Sequence, residues 1–151
     1  MRSVVVRALS LALVIAAGTN PTAAQAPVKD PGTIGYCLCQ EQSLAKLLDA
    51  VQEHKQDYDN GQKALASLDS ELATRRPAVN VYNDADVQAY KDLLQRRDDA
   101  AAAFANATAT YNVSVNRYNE ARGEYNARCA GVSFDQTVYN TVRANLSCPK
   151  P

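Results

Sequence analysis

The chain contains no tryptophan, two phenylalanines, one methionine and one histidine, and its 151 residues include six glycines and six prolines. So little turn punctuation and so few large rings fit helices packed on helices in a single domain. Formal net charge is zero and the charged residues of both signs are interspersed, so no basic stripe is available for nucleic acid or for an anionic membrane. The interspersed charges read as the solvated face of helices. There is no glycine-rich phosphate loop and no Cys-x-x-Cys pair.

Catalysis needs convergent groups of different kinds, and the sequence does not offer them. Its one histidine, His54, falls inside an apolar stripe with no serine or cysteine placed to be its nucleophile. The neighbouring acids Glu53, Asp57 and Asp59 do not share one helical face with it, so a carboxylate-histidine metal site is poorly supported. The expectation is a chain with no enzymatic activity, no catalytic residue and no cofactor.

Nor is any apolar run long enough to span a bilayer. The longest, residues 8–17, follows Arg2 and Arg7 and precedes small residues, which is the layout of a secretory signal peptide. Residues 1–24 are assigned to that signal, with cleavage after Ala24. Its removal takes away two arginines and no acids, leaving a slightly acidic mature chain. A periplasmic or secreted location is expected, without a transmembrane segment in the mature chain.

What the sequence does have is heptad periodicity. Over residues 87–129 one row runs Val87, Leu94, Ala101, Thr108, Val115, and another runs Tyr90, Phe104, Tyr111, Tyr118, Tyr125, broken by Arg97. Over residues 40–75 the rows are Leu44, Val51, Tyr58, Leu65, Leu72 and Leu47, His54, Gly61, Leu68, Arg75. Spacings of three and four in alternation put each pair of rows on one stripe of a helix. Pro77 stops the first helix near Arg76, and Asn83 or Asp84 can cap the second. Gly131 suits the end of the second helix, and Ser133 with Gln136 resembles a capping box for a third carrying Val138, Val142 and Leu146.

Two helices of similar length joined by a short connection pack antiparallel. The fold class expected is therefore all-α: a long antiparallel two-helix coiled-coil hairpin with a short third C-terminal helix, clamped by disulfides. A candidate register sets Leu72 against Tyr90, Leu68 against Leu94, Gly61 against Ala101, Tyr58 against Phe104 and His54 against the hydroxyl of Thr108. Residues 25–36, rich in small residues with Pro and Gly, read as an extended lead-in, and residues 37–151 as the clamped domain.

Four cysteines in a chain that leaves the cytoplasm argue for two disulfides. An antiparallel hairpin brings Cys37 and Cys39 to the same end as Cys129, and the third helix can return Cys148 there. One of Cys37 and Cys39 should bond Cys129 and the other Cys148; which takes which is open. A thiolate metal site using the Cys-x-Cys cluster is the alternative, and it makes a periplasmic metal-binding protein the second functional reading.

The apolar residues of the connection, Val79, Val81 and Tyr82, have no seam to enter and mark the hairpin tip as the candidate partner-binding site. The primary reading is a protein-interaction, scaffolding or envelope-associated module with an unidentified protein partner. A third reading is an inhibitor inserting its tip into an enzyme cleft. The tyrosine rows are expected to fill the seam, and Leu48 and Leu93 beside it leave homo-oligomerisation into a four-helix bundle open.

Overall fold

The computed structural model describes residues 26–149, so the signal peptide expected over 1–24 lies outside the described residues. Helix α1 spans Pro31–Arg75, a single 3-10 turn covers Arg76–Ala78, α2 spans Asp84–Arg128 and α3 spans Gln136–Ala144. The two 45-residue helices pack along their length as an antiparallel hairpin, and the nine-residue α3 folds back onto α1. No helix among the described residues is long and apolar enough to cross a membrane.

Helix α1 begins nine residues before the heptads do. Asp30 is its N-cap: Thr33 donates its backbone N–H and its hydroxyl to Asp30 Oδ2, each at 2.7 Å. Those two bonds, the hydroxyl's first, hold the Asp30 carboxyl below its ordinary range. Pro31 follows at the first helical position, where its missing N–H costs nothing. The extended lead-in expected over 25–36 is thus cut back to the residues before Pro31, because a Pro-Gly pair that reads as a breaker is here the start of a helix. The α3 cap is likewise Asp135, whose carboxylate accepts from the N–H groups of Thr137 and Val138, rather than Ser133. Gly131, at φ 75°, ends the α2 turn as expected.

The α1 rows stand as the periodicity placed them, except that Arg75 is exposed. In α2 the row Tyr90, Phe104, Tyr111, Tyr118, Tyr125 lies in the seam, with the Tyr58 ring tilted between Phe104 at 5.1 Å, a pairing the candidate register expected, and Tyr111 at 5.7 Å. Arg97, which breaks that row, turns its guanidinium out to Asp69 at 2.9 Å, and this bond raises its pKa.

The second α2 row is shared by two adjacent heptad positions. Leu93 is 2% exposed and Ser114 is buried, whereas Leu94 is 39% exposed. Val87, Ala101, Thr108 and Val115 of the expected row stay half-buried, as do Ala100, Ala107 and Ala121 in the row one residue earlier that holds Leu93 and Ser114. The buried Ser114 hydroxyl is satisfied by donating to the Tyr111 carbonyl at 2.7 Å.

Register moves with it. A Cβ placed on Gly61 would stand 3.4 Å from the Phe104 Cα and 3.2 Å from its ring, so Gly61 meets Phe104, three residues on from the Ala101 expected. Continuing that alignment brings Leu72 opposite Leu93, Leu65 opposite Ala100, Tyr58 opposite Ala107, Val51 opposite Ser114 and Leu44 opposite Ala121. Layers that set a large side chain against a small one then alternate with layers of two large ones, such as His54 with Tyr111 and Leu47 with Tyr118, which lets the large groups interdigitate. His54 does not meet the Thr108 hydroxyl, which donates to the Phe104 carbonyl. It lines a shallow notch with Leu47, Val113 and Arg117 instead.

Gly61→Leu forces a side chain into the Phe104 ring. Overpacking of this kind costs about 1–3 kcal/mol, and the helix-propensity gain on replacing glycine offsets roughly 0.8 kcal/mol of it. Urea unfolding of the variant should show a lowered midpoint; an unchanged or raised midpoint contradicts close packing at this layer.

Candidate contact site at the hairpin tip

Each end of the hairpin carries one of the residue groups that the sequence singled out. The four cysteines gather at the open end, while Val79, Val81 and Tyr82 sit at the bend. A 45-residue helix is about 68 Å long, so most of that length separates them.

At the open end the bonds are Cys37–Cys129 and Cys39–Cys148, with Cα separations of 5.6 and 5.4 Å. The choice of partners follows from helix geometry. Residues two apart on a helix are turned by about 200°, so they face different neighbours. Cys37, on the stripe toward α2, is buried with Ile34, Leu38 and Cys129. Cys39 faces away from that core and takes the returning C-terminal segment. All four sulfurs are bonded in pairs, which leaves no thiolate for the metal site weighed from the sequence.

Three further contacts hold this end, and two of them had no signal in the residue pattern. Val28 pairs with the segment before α3: its N–H donates to the Ser133 carbonyl at 2.8 Å, and its carbonyl accepts from the Asp135 N–H at 2.9 Å. The Arg128 guanidinium lies 5.4 Å from the Tyr36 ring centroid. The third was legible: Val142, on the predicted α3 face, packs over Gly35.

At the other end the chain makes a short, hydrogen-bonded turn. After the 3-10 turn Val79 is extended, and the Asn80 carbonyl accepts from the Asn83 N–H at 3.0 Å. The Asn80 side-chain carbonyl accepts from the Tyr82 N–H at 3.1 Å, an Asx turn inside the main-chain turn. Asn83 then caps α2, accepting from the N–H groups of Ala85 at 3.0 Å and Asp86 at 3.3 Å. Val81 and Tyr82 are the two residues between those asparagines.

Their side chains find little to pack against among the described residues. Tyr82 is 95% exposed and Val81 69%, while Val79 is half-buried. The structure therefore divides the predicted trio into a projecting pair and one residue tucked behind it. Arg75 and Arg76 lie exposed on the α1 side of the turn, and Asp84 on the α2 side. The backbone is pinned on both sides of the projecting pair, so a partner meeting it would spend little on ordering the loop.

Of the two leucines that made a four-helix bundle conceivable, Leu93 is closed into the seam and Leu48 is 39% exposed. Asn106, Asn112 and Asn145, each the first residue of an Asn-x-Ser/Thr triplet, are all exposed.

Asn83→Ala removes the α2 cap and should lower stability by about 0.5–2 kcal/mol, with Asn83→Asp close to the parent. Denaturant unfolding monitored by helicity reads this; equal stability of the alanine variant contradicts the cap.

Comparison with known proteins finds no matching family model, no matching curated sequence and no matching solved structure.

Proposed function

We propose that this chain is a non-enzymatic helical hairpin of the periplasm or of the secreted fraction, and that it presents its tip to a protein partner. The observation that carries the reading is the Val81–Tyr82 pair, almost fully in water on a turn fixed by two asparagines. Full burial of such a side chain is worth roughly 1.5–3 kcal/mol, which the isolated chain leaves unused. The two disulfides support an oxidising compartment, where such bonds form and persist.

Length serves the same reading. Two clasped rods hold the tip far from the other end, as suits a scaffold or envelope-associated module that reaches across a gap. A convex tip of two apolar side chains also fits a cleft on the partner, which is the geometry an inhibitor would use.

The test places a photo-crosslinking amino acid at Tyr82, and for comparison at the mid-rod surface position Gln62, in cells or culture of the native source. A discrete protein adduct from position 82 and none from position 62 is the expected result. Replacing Val79, Val81 and Tyr82 together by Ser should leave helicity intact and abolish recovery of that adducted protein. Recovery unchanged in the triple variant would refute a tip-based interface.

A further inference from the structure

The two disulfides of the clasp are not equivalent. Cys37 and Cys129 are each 4% exposed and lie in the small core with the fully buried Ile34. Cys39 and Cys148 are both partly open to solvent, and together they line a surface notch of about 210 Å³. An attacking thiol must approach a disulfide sulfur along a free path. Cys37 also borders a notch, beside Tyr36 and Arg128, but both cysteines of its bridge are nearly closed to solvent, so the second bridge is the more open of the two.

The notch also carries a charge that suits the attacker. Lys46 lines it beside Gln42 and Ser43, all on the α1 face that begins at Cys39. Side chains on a helix lean toward its N-terminus, so the lysine, about two turns on, points along the notch toward the end that holds the bridge. No acid within salt-bridge distance of Lys46 is present among the described residues. A cation there favours an arriving thiolate and also a thiolate leaving on Cys39.

We propose that Cys39–Cys148 is a thiol–disulfide exchange site for a dithiol reductant, steered by Lys46, and that Cys37–Cys129 stays closed while it reacts. One thiolate of the reductant attacks Cys148 Sγ and forms a mixed disulfide. The Cys39–Cys148 bond breaks, and its electron pair leaves on Cys39 Sγ, which takes a proton from water. The second thiol of the reductant then attacks its own partner sulfur in the mixed disulfide and releases Cys148 as a thiol. Overall the reductant becomes a cyclic disulfide, losing two electrons and two protons, and the bridge gains them.

The fold confines the consequence. With Cys148 released, the hairpin keeps its core bridge, and α3 keeps the Val28 hydrogen bonds at its start. What loses its tether is the segment after α3, from Asn145, whose Leu146 lines a surface notch together with Leu38 on the flank of α1. Reduction therefore frees the Leu146 wall of that notch without opening the rods.

The experiment treats the fully oxidised chain with limiting dithiothreitol, quenches with N-ethylmaleimide at intervals and maps the labelled cysteines by peptide mass spectrometry. Cys39 and Cys148 should label faster than Cys37 and Cys129 by roughly tenfold or more, with helicity unchanged during the first phase. Lys46→Glu, a substitution on an exposed helix face, should slow that phase several-fold and leave the slow pair unaffected. Simultaneous labelling of all four cysteines, or a first-phase rate indifferent to the charge at position 46, overturns the proposal.

Discussion

The close approach of α1 to α2 at Gly61 is the constraint from which the remaining geometry follows. With no side chain there, the Phe104 backbone comes within contact distance, and Tyr58 slots between Phe104 and Tyr111. That alignment aims the small residues of α2 at the large ones of α1. It also brings Cys129 level with Cys37, so the seam and the buried disulfide demand the same register. Two independent features agreeing on one alignment is what a single well-defined hairpin requires. A pair of helices can bury only one stripe each, so among the described residues few side chains are fully enclosed, and the covalent clasp makes up for a thin core.

The arrangement divides labour along the rods. Core residues, both bridges, α3 and the Val28 pairing all gather at one end. The other end has Leu93 as its enclosed side chain and a turn whose apolar residues point outward. Most of the fully enclosed side chains thus lie away from the turn that carries the exposed Val81 and Tyr82. At the clasped end, burial separates a bridge that maintains the fold from one exposed to chemistry.

Much of the fold was legible because its strongest signals are local and periodic. The heptad rows placed α1 and the tyrosine face of α2, Pro77 placed the bend, and Gly131 the end of α2. Cysteine positions relative to those helices placed both bridges at the open end. The register was legible only in part: the expected Tyr58–Phe104 contact is present, but the exposed Leu94 looks as apolar as the enclosed Leu93, and Val115 looks more apolar than the buried Ser114. Hydrophobicity ranks side chains by size as well as by polarity, and at Ser114 this seam takes a small one. The start of α1 was missed because Asp30-Pro31 is both a turn signal and a helix-start signal, and the bonds from Thr33 to the Asp30 carboxylate show that the second applies. Pairing of Cys37 with Cys129 follows from helical phase once Cys37 is known to be helical. The tip residues were found as apolar side chains without a seam, but the Asx turn that projects two of them needed coordinates.

The register can be tested most directly by placing cysteines at Leu72 and Leu93, in the layer three turns from Gly61, and mapping disulfides under mild oxidation with both native bridges intact. The account predicts a 72–93 bond and none in a separate variant carrying cysteines at Leu68 and Leu94. A 68–94 bond, or no 72–93 bond, would contradict it.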